Sequence, residues 1–460
     1  MRVAAEGMDA SGYRLTGSFD EAFGQDGRPR PAYADLLATI DDPAALRARV
    51  TERVERDGIR FGDGFFALDP VPRLIAAAEW ERVEAGLGQR ARALGLFLAD
   101  AYGERRIVAE GVIPAAVIEA ADHFEPWMLG VEIRPEAFVA GLDLVRGDDG
   151  ELRVLEDNTR TPSGLAYAAA ARAAVGARLP CGAGVLDPEG AFDLLGRTLR
   201  AADPDGDPSI ALLSDGPANA AWYEHCQIGK RLGIPVVRPG DVLVRSGRLH
   251  AWLDGGRTRQ IDVVYRRTDE DALRDRAGRA TWLADLLLAP VRRGTLAVVN
   301  PLGAGLADDK LVHAYVEDMV RFYLGEEPLL SSVRTLDLSD DKVRDEALGS
   351  LAELVVKPRG GYDGAGVVVC SQSDPGELAS LARDIERAPT DFIAQETVNL
   401  CTHPTVCDGR LEPRHVDLRP FVFGTGDVAP AALTRVAFGE GEIIVNSSRG
   451  GGAKDTWLAA

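Results

Sequence analysis

Apolar residues recur at helical spacing through the first quarter of the chain. The run Asp42-Pro43 followed by AALRARVTERVERDG predicts a capped helix, with Asp at the N-cap, Pro at the first turn and Gly58 at the stop. Trp80–Tyr102 and Pro114–His123 continue in that style, and residues 1–125 read as a mostly helical scaffold without chemistry. The pattern then changes. Two Val/Leu-rich runs flank the turn tetrad Gly147-Asp148-Asp149-Gly150, which predicts a β-hairpin over Gly141–Asn158. With Arg146 opposite Glu151, Asp143 faces Val154 and Gly141 faces Glu156. Asp143, Glu156 and Asn158 then share one face, the two acids as diagonal neighbours. An Ala-rich helix over Leu165–Leu179 follows.

The polar stretch ADPDGDPS at 202–209 marks a boundary. Beyond it, strand-like IALLS, IPVV, IDVVYRR and TLAVVN alternate with helical AAWYEHCQIGKRLG and TWLADLLLAPVRR. Such alternation predicts a small open, mainly parallel α/β unit over 205–300. No G-x-G-x-x-G opens its first helix, which disfavours a dinucleotide fold. From Leu302 the pattern gives a helix carrying Lys310, a glycine-rich hairpin VVKPRGGYDGAGVVVC, and a helix Pro375–Arg387 with Asp374 at its N-cap. The strands FIAQE, HVDLRPFVF, ALTRVAF and EIIVNSS complete it. The segments read as 1–125, 126–200, 205–300 and 301–460.

Charge and composition narrow the choices. The 460 residues suffice for two or three domains. A formal charge of −20, from 72 acidic against 52 basic residues, argues against nucleic acid and anionic lipid as partners. The N-terminus lacks an apolar signal segment, and the Ala-rich helix is too short to cross a bilayer, so a cytoplasmic protein is expected. Five scattered cysteines suit a reducing compartment. Cys401, His403 and Cys407 lack the fourth ligand of a closed zinc site.

Candidate chemistry lies in two places far apart in sequence. Asp143, Glu156 and Asn158 offer the hard oxygen donors that Mg²⁺ takes while it also holds phosphates. Far downstream, Gly360, Gly361, Gly364 and Gly366 sit between two β-branched runs, with Lys357 on the first. Glycines let backbone N–H groups close on phosphate oxygens. A strand, not a helix, follows them, so the segment is a lid hairpin and not a P-loop.

In this order the motifs of the C-terminal third resemble those of the ATP-grasp ligases. Lys310 matches the first nucleotide lysine and Lys357, with its glycines, the second lysine and lid. IAQETV resembles the hinge against which adenine stacks, bringing Gln395, Glu396 and Val398 to the base. VDLRPFVF, ALTRVAF and IVNSSRGGGAK resemble the terminal strands that carry Arg419, Arg435, Asn446 and Arg449. The metal hairpin that should come next is missing there. Its counterpart is the early hairpin, so the sequence is similar to a circularly permuted ATP-grasp protein, and more distantly to glutathionylspermidine-synthetase-type ligases. The fold expected is of the α/β (α+β) class. It is an ATP-grasp in permuted order, with the small α/β unit inserted and the helical segment in front. Asn399 and a long insertion stand where the family often has an acidic ribose contact.

The resemblance implies ATP and Mg²⁺ as cofactors, with Asp143, Glu156 and Asn158 as metal ligands. Arg160, Arg419, Asn446 and Arg449 would serve the transferred phosphoryl group or the acceptor, and Arg435 the nucleotide phosphates. Arg266, Arg267 and Asp269 end a strand of the α/β unit and are candidate substrate contacts, as is Lys454. The implied reaction is carboxylate–amine ligation through an acylphosphate, on small-molecule or peptide substrates. A phosphotransferase and a non-catalytic nucleotide-binding module remain alternatives. The oligomeric state is not legible.

Overall fold

The helix-start signals act where they stand. The computed structural model describes residues 12–460 other than 177, 180–183, 204–205, 254, 361–365, 443–444 and 446–450. Helix α1 spans Pro43–Arg56, and the Asp42 carboxylate accepts from the Ala45 N–H at 2.9 Å. Gly58 then takes a φ of +65°, a conformation glycine adopts without steric cost. The next segment departs from the helical expectation. Arg60–Phe61 pairs with Gly64–Phe65 as a short hairpin, and strand β1 (Leu68–Ile75) follows, almost wholly buried. Pro70 and Pro72 exclude a helix interior there. Long helix α2 (Ala77–Tyr102) resumes the expected pattern, whereas the helix expected over 114–123 shortens to Ala115–Glu119.

Strands β2 (Val139–Arg146) and β3 (Leu152–Asn158) form the predicted hairpin in a corrected register. Arg146 lies opposite Leu152 and not Glu151, because the turn takes one residue more. A bulge at Leu155 shifts the register by one further residue, and Asp143 comes directly opposite Glu156 instead of diagonal to it. Helix α3 (Leu165–Gly176) follows.

Further along, β4 (Ile210–Leu213), α4 (Trp222–Leu232), β5 (Val236–Val237), β6 (Val263–Arg266) and β7 (Ala297–Val299) build the open unit. Its four strands are parallel, in the order β7-β6-β4-β5. Lys310 is not on a helix as expected. It sits in a turn between two 3₁₀ segments, Ala304–Asp308 and Val312–Tyr315. Asp309 fixes that turn by accepting from the N–H groups of Leu311 and Val312. An antiparallel sheet then assembles from β8 (Thr335–Asp337), β9 (Leu354–Pro358), β10 (Val368–Val369) and, after helix α5 (Pro375–Arg387), β11 (Phe392–Glu396). Their order is β8-β11-β9-β10. The capping box of α5 is complete, since Asp374 accepts from Glu377 N–H and Glu377 accepts from Asp374 N–H.

The chain closes with β12 (Thr402–Cys407), β13 (Arg410–Phe423), β14 (Val428–Val436) and β15 (Gly452–Leu458). The strand expected over EIIVNSS falls mostly outside the described residues. The large sheet runs β1-β15-β14-β13-β2-β3, with β12 on the first half of β13. Strands near residue 150 thus complete a sheet begun near residue 420, which is the permuted order in physical form. Alternation gives that sheet two faces. Leu142, Leu144, Val154 and Leu418 bury against α2 with Leu87, Leu94 and Phe97. The opposite face carries Asp143, Asp417, Arg419 and Arg435, and it lines a cleft.

Candidate active site

Register alone builds a charged row across the cleft face. Asp143 on β2 stands opposite Glu156 on β3. On its other side is β13, where Leu418 pairs with Leu144. Arg419 there grips Asp143 through two parallel bonds, Nε to Oδ1 at 2.6 Å and Nη2 to Oδ2 at 2.8 Å. Arg435, opposite Asp417 on the next strand, donates to both Asp417 oxygens and to Asp143 Oδ2 at 2.8 Å. Lys357 reaches in from β9 with its Nζ 3.2 Å from Glu156 Oε1. The charges therefore balance locally, with three carboxylates interleaved with three cations.

Burial would raise the Asp143 carboxyl, but Arg419 and Arg435 prevail and hold it down at about 2. Glu156 is likewise lowered: burial and the neighbouring Asp143 charge push it up, and Lys357 and Lys310 together outweigh them. Burial wins at Asp417, whose carboxyl is raised despite Arg435. Asp143 and Glu156 are thus ionised at neutral pH and face each other, a costly arrangement unless cations share them. Among the described residues no three His, Cys, Asp or Glu side chains gather to hold a metal by themselves. Two carboxylates with the Asn158 amide still suit Mg²⁺, which keeps waters and phosphate oxygens in its shell. Asn158 has a buried amide nitrogen without a hydrogen-bond partner among the described residues, as expected of a side chain kept for a ligand.

The cleft, of about 580 Å³, also brings Lys310, Gly360, Gln395, Glu396, Val398, Arg160 and Asp269 together with that row. Gly360 sits where a Cβ would meet the Asp122 carboxylate at 1.9 Å, so the base of the lid hairpin runs tight against the N-terminal region. Gly366 turns at φ +73° against Pro358 and is not among the lining residues. Gly361, Gly364, Asn446 and Arg449 lie outside the described residues. At the hinge, the Gln395 amide donates to Leu155 O and Thr335 Oγ1, fastening β11 to the bulge of β3. The Glu396 N–H is occupied by Arg334 O.

Arg160, two residues past Asn158, also lines the cleft. It is bound by Asp308 at 3.2 Å and Asp269 at 3.4 Å, and its Nη1 donates to His123 Nε2 at 2.9 Å. Burial and then the Arg160 charge press the His123 imidazole down to about 4. Beneath it burial lifts the Glu270 carboxyl to about 7.

Three candidate substrate contacts are not exposed to the cleft. Arg266 is fully buried, donating to Thr268 O and Glu270. Arg267 is buried too, donating to Pro162 O, Ser163 Oγ and Glu224. It braces the segment between the β2–β3 hairpin and α3. Lys454 lies inside the sheet, bonded to Asp69 and to Pro404 O. These are structural ion pairs, since each charge is matched within the core. Only Asp269 of the strand-end group lines the cleft.

Several lining residues carried no signal in sequence. Phe61, Phe66, Asp122 and His123 come from the region read as scaffold. Arg359 is buried beside the lid, donating to both Asp309 oxygens at 3.0 Å and to Val117 O. Its place next to the lid glycines and the Asp308-Asp309-Lys310 run were the only hints available.

Comparison with known proteins agrees with this geometry. The model of the family described as circularly permuted ATP-grasp type 2 matches residues 72–437. The chain belongs to that family. It is 43% identical, over 97% of its length, to a Frankia casuarinae protein named "Putative glutamate--cysteine ligase 2-2", and spans 54% of that protein. A second Frankia relative, from F. alni, is 42% identical and again matched over 54% of its length. The chain thus spans about half the length of these curated relatives. An uncharacterized protein of Synechocystis sp. is 37% identical over 98% of this chain and 99% of its own. Among solved structures, a glutathione synthetase-like effector from Globodera pallida superposes with a TM-score of 0.59 at 12% identity. That match covers 92% of this chain and 99% of the effector, and shows a shared fold. No helix among the described residues is long and apolar enough to cross a membrane.

Proposed function

We propose that the protein is an ATP-dependent, ADP-forming carboxylate–amine ligase. The supporting observation is the meeting of Asp143, Glu156 and Asn158 with Lys357, Arg419 and Arg435 in one cleft, from segments more than 200 residues apart. That set suits phosphoryl transfer, where the protein's work is positioning and charge stabilisation. Names of glutamate–cysteine ligase type among the relatives, although they describe proteins about twice as long, favour amide formation.

In this reading Asp143, Glu156 and Asn158 would hold Mg²⁺, which would supply charge stabilisation to the transferred phosphoryl group. Lys310 and Lys357 neutralise phosphate charge, with the glycines of the lid closing over it. Gln395, Glu396 and Val398 flank the base. Arg435 supports the nucleotide phosphates. Arg419, with Asn446 and Arg449, orients the acceptor carboxylate, whose oxygen takes the γ-phosphoryl group. An amine then displaces phosphate to give the amide. Arg160 and Asp269 are the remaining candidate contacts. The cleft contains no Ser–His or Cys–His pair among its described lining residues, and this mechanism needs none.

The test is ADP release measured across crossed panels of carboxylates and amines. The proposal requires ADP and an amide that form only when both are present. A stable phosphorylated product without amide replaces the ligase by a phosphotransferase, and ATP binding without any turnover leaves a regulatory module.

A further inference from the structure

The charged row does not end at Arg419. Its cross-strand neighbour on β14 is Leu433, which lines the same cleft. Beyond Leu433 stand three aromatic rings that also line it. Tyr167 of α3 stacks on Phe66 with centroids 4.7 Å apart, and Phe61 meets Tyr167 edge-on at 5.8 Å. Val445 adds a further apolar side chain. The charged row is therefore bordered, on the side of Leu433, by an apolar patch of packed rings.

This apolar wall is assembled from distant pieces. The Tyr167 hydroxyl is turned away from the cleft and donates to Arg60 O at 2.8 Å. The Gly62 N–H donates to Ala220 O at 2.8 Å. Together these bonds fix the Arg60–Phe65 hairpin between α3 and the loop before α4, and so place Phe61 at the cleft. Metal, phosphate and arginine functions make no use of such a surface. Phe66, Tyr167 and Leu433 are already buried and Phe61 is half-buried, so a ligand side chain packed on this patch gains chiefly by covering Phe61.

We propose that Phe61, Phe66, Tyr167 and Leu433 form a subsite for an apolar side chain of the carboxylate substrate. The proposal rests on the ligase reading and deepens it. The adjacency of Leu433 and Arg419 sets the order. A carboxylate held by Arg419 has its own substituent directed along the row, over Leu433 and onto the rings. A polar or charged substituent there would lose its water without gaining a partner.

The test uses hydroxylamine in place of the amine, with Mg–ATP and N-acetylated amino acids as carboxylates. The carboxylate oxygen takes the γ-phosphoryl group and ADP leaves. Hydroxylamine nitrogen then attacks the acyl carbon, phosphate departs and a proton passes to solvent, leaving a hydroxamate that is read as its coloured ferric complex. N-acetyl-leucine and N-acetyl-phenylalanine should exceed N-acetyl-aspartate and N-acetyl-lysine in kcat/KM by about tenfold or more, as a filled apolar pocket permits. Phe61→Ala, at a half-buried position, should erase most of that preference through KM while leaving KM for ATP within about twofold. Phe66→Leu, milder in the core, should weaken it in the same direction. An equal or reversed preference overturns the subsite, as does a rise in KM for ATP in Phe61→Ala, which would give the rings to the base instead. If no carboxylate yields hydroxamate, the ligase reading fails, and saturation-transfer NMR on the Mg–AMPPNP complex decides the subsite. Selective saturation of the apolar side chains, lost in Phe61→Ala, upholds it; equal or absent saturation overturns it.

Discussion

Asp143 and Arg419, 276 residues apart in the chain, are joined by two parallel hydrogen bonds in which Nε and Nη2 of the guanidinium meet the two carboxylate oxygens. The pair ties the early hairpin to the late strands and lies in the cleft, so one contact serves both fold and site. Removing either partner leaves a buried charge, which costs about 3–5 kcal/mol. Asp143→Asn should therefore lose both activity and stability, read by denaturant unfolding beside ATP turnover.

Glu156→Gln separates the two effects. Glu156 faces the cleft and is ion-paired to Lys357, while its side chain is 37% exposed. Turnover should fall by about 100-fold or more, because a metal-binding carboxylate is lost, with the unfolding midpoint nearly unchanged. Near-normal turnover in this variant would remove Glu156 from the metal site.

Lys454→Met should behave in the opposite way. Lys454 is fully buried against Asp69 and outside the cleft. The variant leaves Asp69 unpaired and should lose about 3–5 kcal/mol of stability, while activity per folded molecule at low temperature stays close to wild type. Calorimetry and an active-site-normalised rate check the two halves.

Stability should depend on His123 between pH 6.5 and about 4. Its folded value is depressed, so the unfolded chain binds more protons in that window and stability falls as pH is lowered through it. The loss has an upper bound of about 3 kcal/mol. His123→Gln should flatten the fall in melting temperature over that window, and an unchanged slope would assign it to other groups.

Arg359→Lys should loosen the base of the lid. A lysine cannot span both Asp309 oxygens and Val117 O as the guanidinium fork does. Weaker binding of Mg–AMPPNP, by about three- to tenfold on the loss of one to two charge-assisted bonds, should appear in titration calorimetry.

The sequence by itself determined more of this protein than its elements. The hairpin pattern around Gly147–Gly150 and the Asp374 capping box each depend on local chemistry, and each stands in the fold. The cyclic order of the motifs also determined the family, because permutation alters connectivity and leaves each local signal intact. Tertiary structure decided the rest. A bulge of one residue at Leu155, invisible to period-two alternation, set Asp143 directly against Glu156. Lys454, Arg266 and Arg267 look like site residues in sequence, since a charge carries no mark of burial. Only packing against Asp69, Glu270 and Glu224 shows them to be core pairs. Conversely, Phe61, Phe66 and His123 read as scaffold, because a residue's access to a cleft depends on what folds opposite it. Here that is a sheet whose strands lie hundreds of residues away.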